Sequence, residues 1–405
     1  METRLHPEIA ETEEGRIAEE ILRSCVHCGF CTATCPTYRL LGDELDGPRG
    51  RIYLIKQALE SNRAPAGLWL HLERCLLCRA CETTCPSGVE YSPLLEIGRE
   101  FAWHKAPHPP GKRLLRKSLT ATLPHPSRLR PLLGLARIAR PLLPAPLRRL
   151  LPDRKAGSPR PPAQTERRVL LFRGCVQQVV RPGINDAAAR LLHRLGIGVE
   201  EAEGEQCCGA IHHHLQEKER ARTLARVNME RWLPLLEAGA EALLFTASAC
   251  ALEVREYPRL FPAGDPWHAK ARKVARRCLE LGEFLSGEPL EGLSIDPPGE
   301  PVGFHAPCTL QHGLKRAGAT EALLGRLGFD LREPEEGYLC CGAAGIYTLL
   351  QPELAGRLGR RKAERLEEAG SRRIVTANIG CLLHLEQHGS LPVEHWVELL
   401  ERCSR

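Results

Sequence analysis

Two kinds of segment are missing from this 405-residue sequence: an apolar secretory leader and a run long enough to span a bilayer. The opening residues, METRLHPEIAETEEG, are polar and acid-rich, without the apolar core a leader carries. The longest apolar stretch, ALLFTASACALEV (242–254), falls short of the roughly 20 residues a transmembrane helix needs. A cytoplasmic chain is therefore expected, in at most peripheral contact with the inner face of the cytoplasmic membrane. Cofactor and catalytic motifs are missing as well. No G-x-G-x-x-G follows a strand-like run, and there is no Walker lysine loop, no H-E-x-x-H and no serine in a nucleophile elbow. The chain is thus not expected to hold a flavin, nicotinamide or nucleotide of its own. No catalytic residue is assigned, and no nucleic-acid partner is expected.

Cysteine, in contrast, is abundant: 18 residues, far more than packing requires. In a reducing compartment, dense cysteine spacing points to metal or cluster chemistry, not to disulfides. Charge is uneven too. Residues 105–168 hold 16 Lys and Arg against two acids, Asp153 and Glu166, although the whole chain is only +6. Thirteen of the 32 prolines lie in the same stretch, which rules out one long helix. It reads as a basic connector with short helical pieces such as KRLLRKSL and RPLLGLARIARPLL. A solvated linker, docking on an acidic partner and docking on an anionic membrane surface all remain open for it.

Four segments follow: a cysteine-dense helical part (15–104), the basic connector (105–166), and two halves of a duplicated region (167–290 and 300–403). The duplication shows in three landmarks. Strand-like runs RRVLLF (167–172) and PVGFH (301–305) lead into Cys175 and Cys308. Amphipathic helix patterns follow and end in HRLG (193–196) and GRLG (325–328), glycine standing where a C-terminal cap is wanted. Next come Cys207-Cys208-Gly209 and Cys340-Cys341-Gly342, and then the runs ALLFTASAC (242–250) and RIVTANIGC (373–381), ending on Cys250 and Cys381. Offsets of 133, 133 and 131 residues mark an internal repeat of an α/β unit.

The strongest signal is a pair of runs, SCVHCGFCTATCP (24–36) and RCLLCRACETTCP (74–86). Both read C-x2-C-x2-C-x3-C-P, the run of bacterial 4Fe–4S ferredoxins. Three cysteines three residues apart wrap one side of a compact cluster, and the fourth lies too far round and reaches the neighbouring one. One cluster is therefore assigned to Cys25, Cys28, Cys31 and Cys85, and the other to Cys75, Cys78, Cys81 and Cys35. Paired C-x2-C also binds zinc, but zinc modules offer two cysteines per knuckle and need no twin. Between the runs, DGPRGRIYLIKQALE (46–60) has Pro48 near its start and Ile52, Ile55 and Leu59 on one face. This predicts a helix and with it an all-helical two-cluster domain.

The duplicated cysteines are less decided. Each half offers a single cysteine, a Cys-Cys-Gly and a late single, with Glu253 and His384 where a further cysteine would complete C-x2-C. A further iron–sulfur cluster, a zinc or structural role, and a catalytic site for a disulfide or quinone compete. The favoured cluster set is Cys308, Cys340, Cys341 and Cys381, with Cys175, Cys207, Cys208 and Cys250 as first-half equivalents. The following glycine is read as allowing close backbone approach to the metal. Ala249 stands where such repeats often carry glycine, so if tight backbone approach is needed there the first half is the degenerate one. His305 and His384 are candidate ligands or hydrogen-bonded neighbours, the run His212-His213-His214 is expected to face solvent, and Cys278 and Cys403 are read as ordinary thiols.

SCVHCGFCTATCPTYRLLGDELDGPRGRIYLIKQALE (24–60), the twin Cys-Cys-Gly repeats, TANIGCLLHL (376–385) and EHWVELL (394–400) closely resemble the iron–sulfur subunits of glycolate oxidase (glycolate dehydrogenase). The resemblance covers nearly the whole chain, the connector least distinctively. It implies an α plus α/β protein: a helical two-cluster ferredoxin domain and a duplicated cysteine-rich (CCG) domain. It also implies two 4Fe–4S clusters and a role as the electron-transfer subunit beside flavin-binding subunits that oxidise glycolate, with a membrane quinone as acceptor. The cysteine-rich region is shared with heterodisulfide reductase, the anaerobic glycerol-3-phosphate dehydrogenase C subunit and lactate-utilisation proteins. The same role with lactate or glycerol 3-phosphate, and catalytic disulfide reduction, are the alternatives.

Overall fold

The computed structural model describes residues 1–142, 148, 151, 157–161, 165–290 and 292–404. The parts of the basic connector at 143–147, 149–150, 152–156 and 162–164 lie outside the described residues. The chain forms two compact units, one of Met1–Arg116 with Tyr338–Lys362 and one of Lys117–Gly337 with Ala363–Arg405.

The first unit is helical throughout its described residues. Thr12 caps the helix Glu13–Ser24, its side chain accepting from the Gly15 N–H, and Glu13 and Glu14 sit where the helix dipole favours acids. Pro48 occupies the first turn of Pro48–Ser61, and left-handed Asn62 ends it. Ile52, Ile55 and Leu59, the expected face of that helix, are buried. They share a core with Ala18, Ile21 and Leu22 from Glu13–Ser24 and with Leu94, Leu95 and Ala102 from Tyr91–Lys105. Residues of the later segment are tied in by hydrogen bonds. The Tyr347 hydroxyl donates to the Arg74 carbonyl at 2.9 Å, and Gln351 donates to Glu73 at 2.9 Å.

The second unit contains two four-stranded parallel sheets of identical topology, ordered β2-β1-β3-β4 and β6-β5-β7-β8. The strands are β1 (Arg167–Leu171), β2 (Ile197–Glu200), β3 (Leu243–Phe245), β4 (Cys278–Glu280), β5 (Val302–His305), β6 (Leu331–Arg332), β7 (Arg373–Thr376) and β8 (Val393–His395). The duplication read from the cysteines is thus a duplication of a whole α/β layer. In each half the strand order reverses between the first and third strands. That is the switch point where loops leave the carboxyl ends of strands and open a crevice. Cys175 and Cys308 follow β1 and β5, and Cys250 and Cys381 follow β3 and β7, so all four late or single cysteines lie beyond these carboxyl ends. The helices Gly183–Arg194 and Ala319–Arg326 do end at the expected glycines, Gly196 and Gly328, both left-handed.

One detail differs from the sequence reading. The run 242–250 is strand only over Leu243–Phe245. Ser248–Arg255 is already helical, so Cys250 lies in a first helical turn. The helical pieces expected in the connector are present, as Pro110–Thr122 and Pro126–Ile138, separated where Pro124 and Pro126 interrupt the chain.

The repeats of the second unit interlock. The last helix, Trp396–Cys403, packs on Gly183–Arg194 of the first repeat, where Glu401 pairs with Arg190 at 2.8 Å and with Arg194 at 3.3 Å. His395 Nε2–H donates to the Thr246 carbonyl at 2.8 Å and Nδ1 accepts from the Val397 N–H. Burial holds this imidazole down to about 4, in the neutral form those two bonds require.

Candidate iron–sulfur centres

Each cysteine run of the first unit bends in the same way. Residues one before and one after the second cysteine are left-handed: His27 (φ 55°) and Gly29 (φ 87°) in the first, Leu77 (φ 53°) and Arg79 (φ 62°) in the second. For His27, Leu77 and Arg79 this conformation costs about 1–2 kcal/mol each, so the fold must impose it. Alternation between right- and left-handed residues curls successive N–H groups toward one side, the geometry of an anion-binding nest. Each fourth cysteine is extended, Cys35 at φ −80° and ψ 115° and Cys85 at φ −74° and ψ 115°, with proline following. The prolines thus turn the chain the same way twice.

Two cavities result. Cys25, Cys28, Cys31 and Cys85 line the first, and Cys35, Cys75 and Cys78 line the second. Cys81 lines both, with Pro48 and Tyr91, so these three residues form the wall between them. The cavities measure about 30 and 20 Å³, far below the roughly 300–1,000 Å³ that an organic ligand needs. Burial pushes the Cys31 thiol up to about 11 and the Cys81 thiol well above its ordinary value. Soft sulfur donors converging on a small cavity, backed by inward-curled backbone N–H groups, fit an anionic iron–sulfur cluster.

The surroundings of the second cavity hold residues the sequence reading missed. Arg51 is 1% exposed and lines that cavity. Its Nε–H donates to the His71 carbonyl at 2.7 Å, and its Nη2 donates to Thr37 Oγ1 at 3.1 Å and to Asp46 at 3.4 Å. Nη1 lies 4.0 Å from Cys35 Sγ, and Thr37 Oγ1 is 3.3 Å from the same sulfur. Asp46, fully buried, also accepts from Arg74 at 2.7 Å and lies 3.1 Å from His71 Nδ1. Burial opposes the charge on Arg51, but Cys75, Tyr91, Cys35 and Asp46 together hold it protonated. Tyr91 donates to Cys75 Sγ at 3.9 Å. The DGPRGRI block carried the signal for Asp46 and Arg51, although nothing in its spacing says that they are buried.

In the second unit the four first-half cysteines form a chain of contacts. The Cys207 thiol is raised by its hydrogen bond to Cys175, that of Cys208 by Cys207, and that of Cys250 by Cys208, with burial adding to each. Glu253, one turn beyond Cys250, adds negative charge beside Cys208 and Cys250, and its carboxylate meets His213 Nδ1 at 3.0 Å. In the second half, Cys308 and Cys381 belong to the second unit and Cys340 and Cys341 to the first. The Gly342 N–H donates to Cys340 Sγ at 3.4 Å. His305 Nδ1 lies 3.0 Å from Thr376 Oγ1, and the buried His384 ring stacks edgewise on His388.

One reading is corrected. His212 and His213 do not face solvent: the short helix Ala210–His214 turns both inward, onto Glu217 at 2.7 Å and Glu253 at 3.0 Å respectively. The glycine after each cysteine pair is left-handed, φ 99° at Gly209 and 93° at Gly342. A Cβ on Gly342 would stand 2.8 Å from the Ala355 carbonyl oxygen, and one on Gly209 3.5 Å from that of Ala221. At Gly342 the absent side chain makes room for the helix Pro352–Glu368, whereas at Gly209 the left-handed backbone alone calls for glycine. Cys278 is buried in β4, its thiol donating to the Ala251 carbonyl at 3.4 Å, and Cys403 is half-exposed.

The comparisons with known proteins follow this geometry. A family model described as a 4Fe-4S dicluster domain matches residues 21–89, and one described as a cysteine-rich domain matches 169–255 and 302–386. The glycolate oxidase iron-sulfur subunit of Escherichia coli is 48% identical over 404 residues, covering 100% of this chain and 99% of that protein. A probable glycolate oxidase iron-sulfur subunit of Bacillus subtilis is 30% identical, covering 92% of this chain and 90% of that protein. The crystal structure of a hypothetical protein from Helicobacter pylori shares the fold with a TM-score of 0.55 at 11% identity, over 97% of this chain and 72% of that one. With the paired cysteine wraps, the repeated cysteine-rich layers and full-length relatives in agreement, the chain belongs to the family of glycolate oxidase iron–sulfur subunits, iron–sulfur proteins that transfer electrons.

Proposed function

We propose that this chain is the electron-transfer subunit of a glycolate-oxidising complex, relaying single electrons from a flavin-binding partner subunit toward a quinone acceptor at the membrane. The observation that carries the reading is the pair of adjoining thiol-lined cavities. Cys25, Cys28, Cys31 and Cys85 would hold one 4Fe–4S cluster, and Cys75, Cys78, Cys81 and Cys35 the other. A bound cluster supplies a one-electron couple, whereas oxidising a 2-hydroxy acid at carbon removes two electrons, so a partner with an organic cofactor is required.

The chain's own residues have three tasks in this reading. The cysteines ligate as thiolates, and the left-handed residues aim backbone N–H groups at the sulfides. Pro48, Cys81 and Tyr91 set the thickness of the wall between the two sites. Arg51 and Thr37 place a positive charge and a hydroxyl beside Cys35. Among the described residues no helix is long and apolar enough to cross a membrane, so the route to a membrane acceptor runs over a surface of the complex.

A second cluster-binding region is carried by a separate observation, the contact chain Cys175–Cys207–Cys208–Cys250 with Glu253 beside it. That set would take one further iron–sulfur cluster. Iron and acid-labile sulfide on protein purified without oxygen test both points. About eight irons per chain support the pair alone, about twelve support a further cluster, and about four or fewer overturn the paired reading. The role itself is tested by adding flavin subunits. The chain alone should not oxidise glycolate, and glycolate oxidation by the isolated chain would refute a purely electron-transferring part.

A further inference from the structure

The helix Pro126–Ile138 is apolar on two sides. Leu129 is buried against Val179 and Val180, with Leu133 packed on the same cluster, and this side fastens the helix to the second unit. Leu132, Leu135, Ile138 and Leu142, the last in the turn Arg140–Leu142, are instead 50%, 66%, 80% and 88% exposed. Residues three apart on a helix are neighbours on its surface. Single exposed leucines are ordinary, but a row of four along eleven residues is a patch that wants a partner.

The charges beside the row say which partner. Arg128, Arg130, Arg137 and Arg140 lie in the same stretch, and no Asp or Glu occurs between Lys105 and Pro152. Arg128 also donates to the Ala121 carbonyl at 2.8 Å, which holds its stem along the preceding helix. Aliphatic side chains presented together with guanidinium groups match an anionic lipid surface. The acyl boundary takes the leucines and the headgroup phosphates take the arginines. The surface belongs to a folded helix already anchored by Leu129, so docking costs no ordering of this segment.

We propose that Leu132, Leu135, Ile138 and Leu142, with the exposed Arg128 and Arg130, dock this protein on an anionic phospholipid surface. The helix lies in the interface plane with its outer face about 5–10 Å into the headgroup and acyl boundary. The inference names the elements that would bring the chain to a membrane, and it depends on none of the cysteine assignments.

Co-sedimentation of the full chain with vesicles tests it. Phosphatidylglycerol–phosphatidylcholine vesicles should carry the protein down, and phosphatidylcholine vesicles should not. Raising salt from about 0.1 M to about 1 M, where the screening length falls from about 10 to about 3 Å, should release it. The double variant Leu135→Ser/Ile138→Ser changes only exposed side chains and should bind at least about tenfold more weakly, with an unchanged circular dichroism spectrum. Arg130→Gln should weaken binding about fivefold at low salt. Leu70→Ser, an exposed leucine of the first unit, should change nothing. Failure of the wild type to sediment with anionic vesicles overturns the proposal, as does unchanged binding by the double variant. Self-association or capture of an acidic protein, lost in the double variant and without vesicle binding, would assign the face elsewhere and also overturn it.

Discussion

Arg49 and Arg51 stand two residues apart on the helix Pro48–Ser61, each beside one of the two cysteine wraps. Arg49 is 35% exposed and pairs with Glu44 at 2.8 Å, close to Gly29 of the first wrap. Arg51 is enclosed, bound to Asp46, Thr37 and the His71 carbonyl, at the edge of the second cavity. The wraps share their backbone turn by turn, yet Cys28 of the first is exposed and its counterpart Cys78 is buried. The first site is thus suited to exchange with a partner at the surface. The second sits beside two arginines, Arg51 and Arg74, that share the single carboxylate of Asp46, a net positive surrounding that favours the more reduced state of whatever the sulfurs hold.

The largest test of this contrast is Cys35→Ser. It should remove about four of about eight irons, those of the second site, and leave the first site's signal in low-temperature EPR. Cys85→Ser should do the reverse, and loss of the first site alone on changing Cys35 would contradict the crossed ligand sets. In an EPR-monitored redox titration of the wild type, the second site should reduce before the first. Simultaneous reduction would mean that Asp46 cancels the field of Arg51.

Asp46→Ala comes next. It strands Arg51 as a buried charge and should cost about 3–5 kcal/mol, read as a shift in urea midpoint. A cost under about 1 kcal/mol would show that water reaches the network. Gly29→Ala places a side chain at a left-handed position and should cost about 1–2 kcal/mol by the same measurement. Glu44→Ala breaks the exposed counterpart pair and should cost no more than about 1 kcal/mol, less at high salt. An effect as large as that of Asp46→Ala would erase the distinction between the two arginines.

What could be read in advance follows from how local each cause is. The cluster motifs are visible because ligand spacing around a compact group is set within seven residues of chain. The central strands β1, β3, β5 and β7 appear as apolar runs because both of their faces are covered. The flanking strands β2, β4, β6 and β8 are two to four residues long and leave no such trace. The burial of His212 and His213 depends on Glu217 and Glu253, the latter 40 residues from His213, and no local pattern announces it. Arg51 reads in sequence as an ordinary charged helix position. Its enclosure is produced by Thr37, Asp46 and His71, which the fold collects from both sides of it.

The interlocked repeats also bear on how the chain is made. The first sheet is finished at Glu280, but the helix that covers Gly183–Arg194 begins only at Trp396. At about 5–20 residues per second, the roughly 115 residues in between take about 6–23 seconds to synthesise. For that interval the nascent first repeat shows the ribosome and its chaperones a helix face whose intended cover does not yet exist. A premature stop anywhere after the first sheet would make the exposure permanent, so quality control can recognise an incomplete chain by its first half.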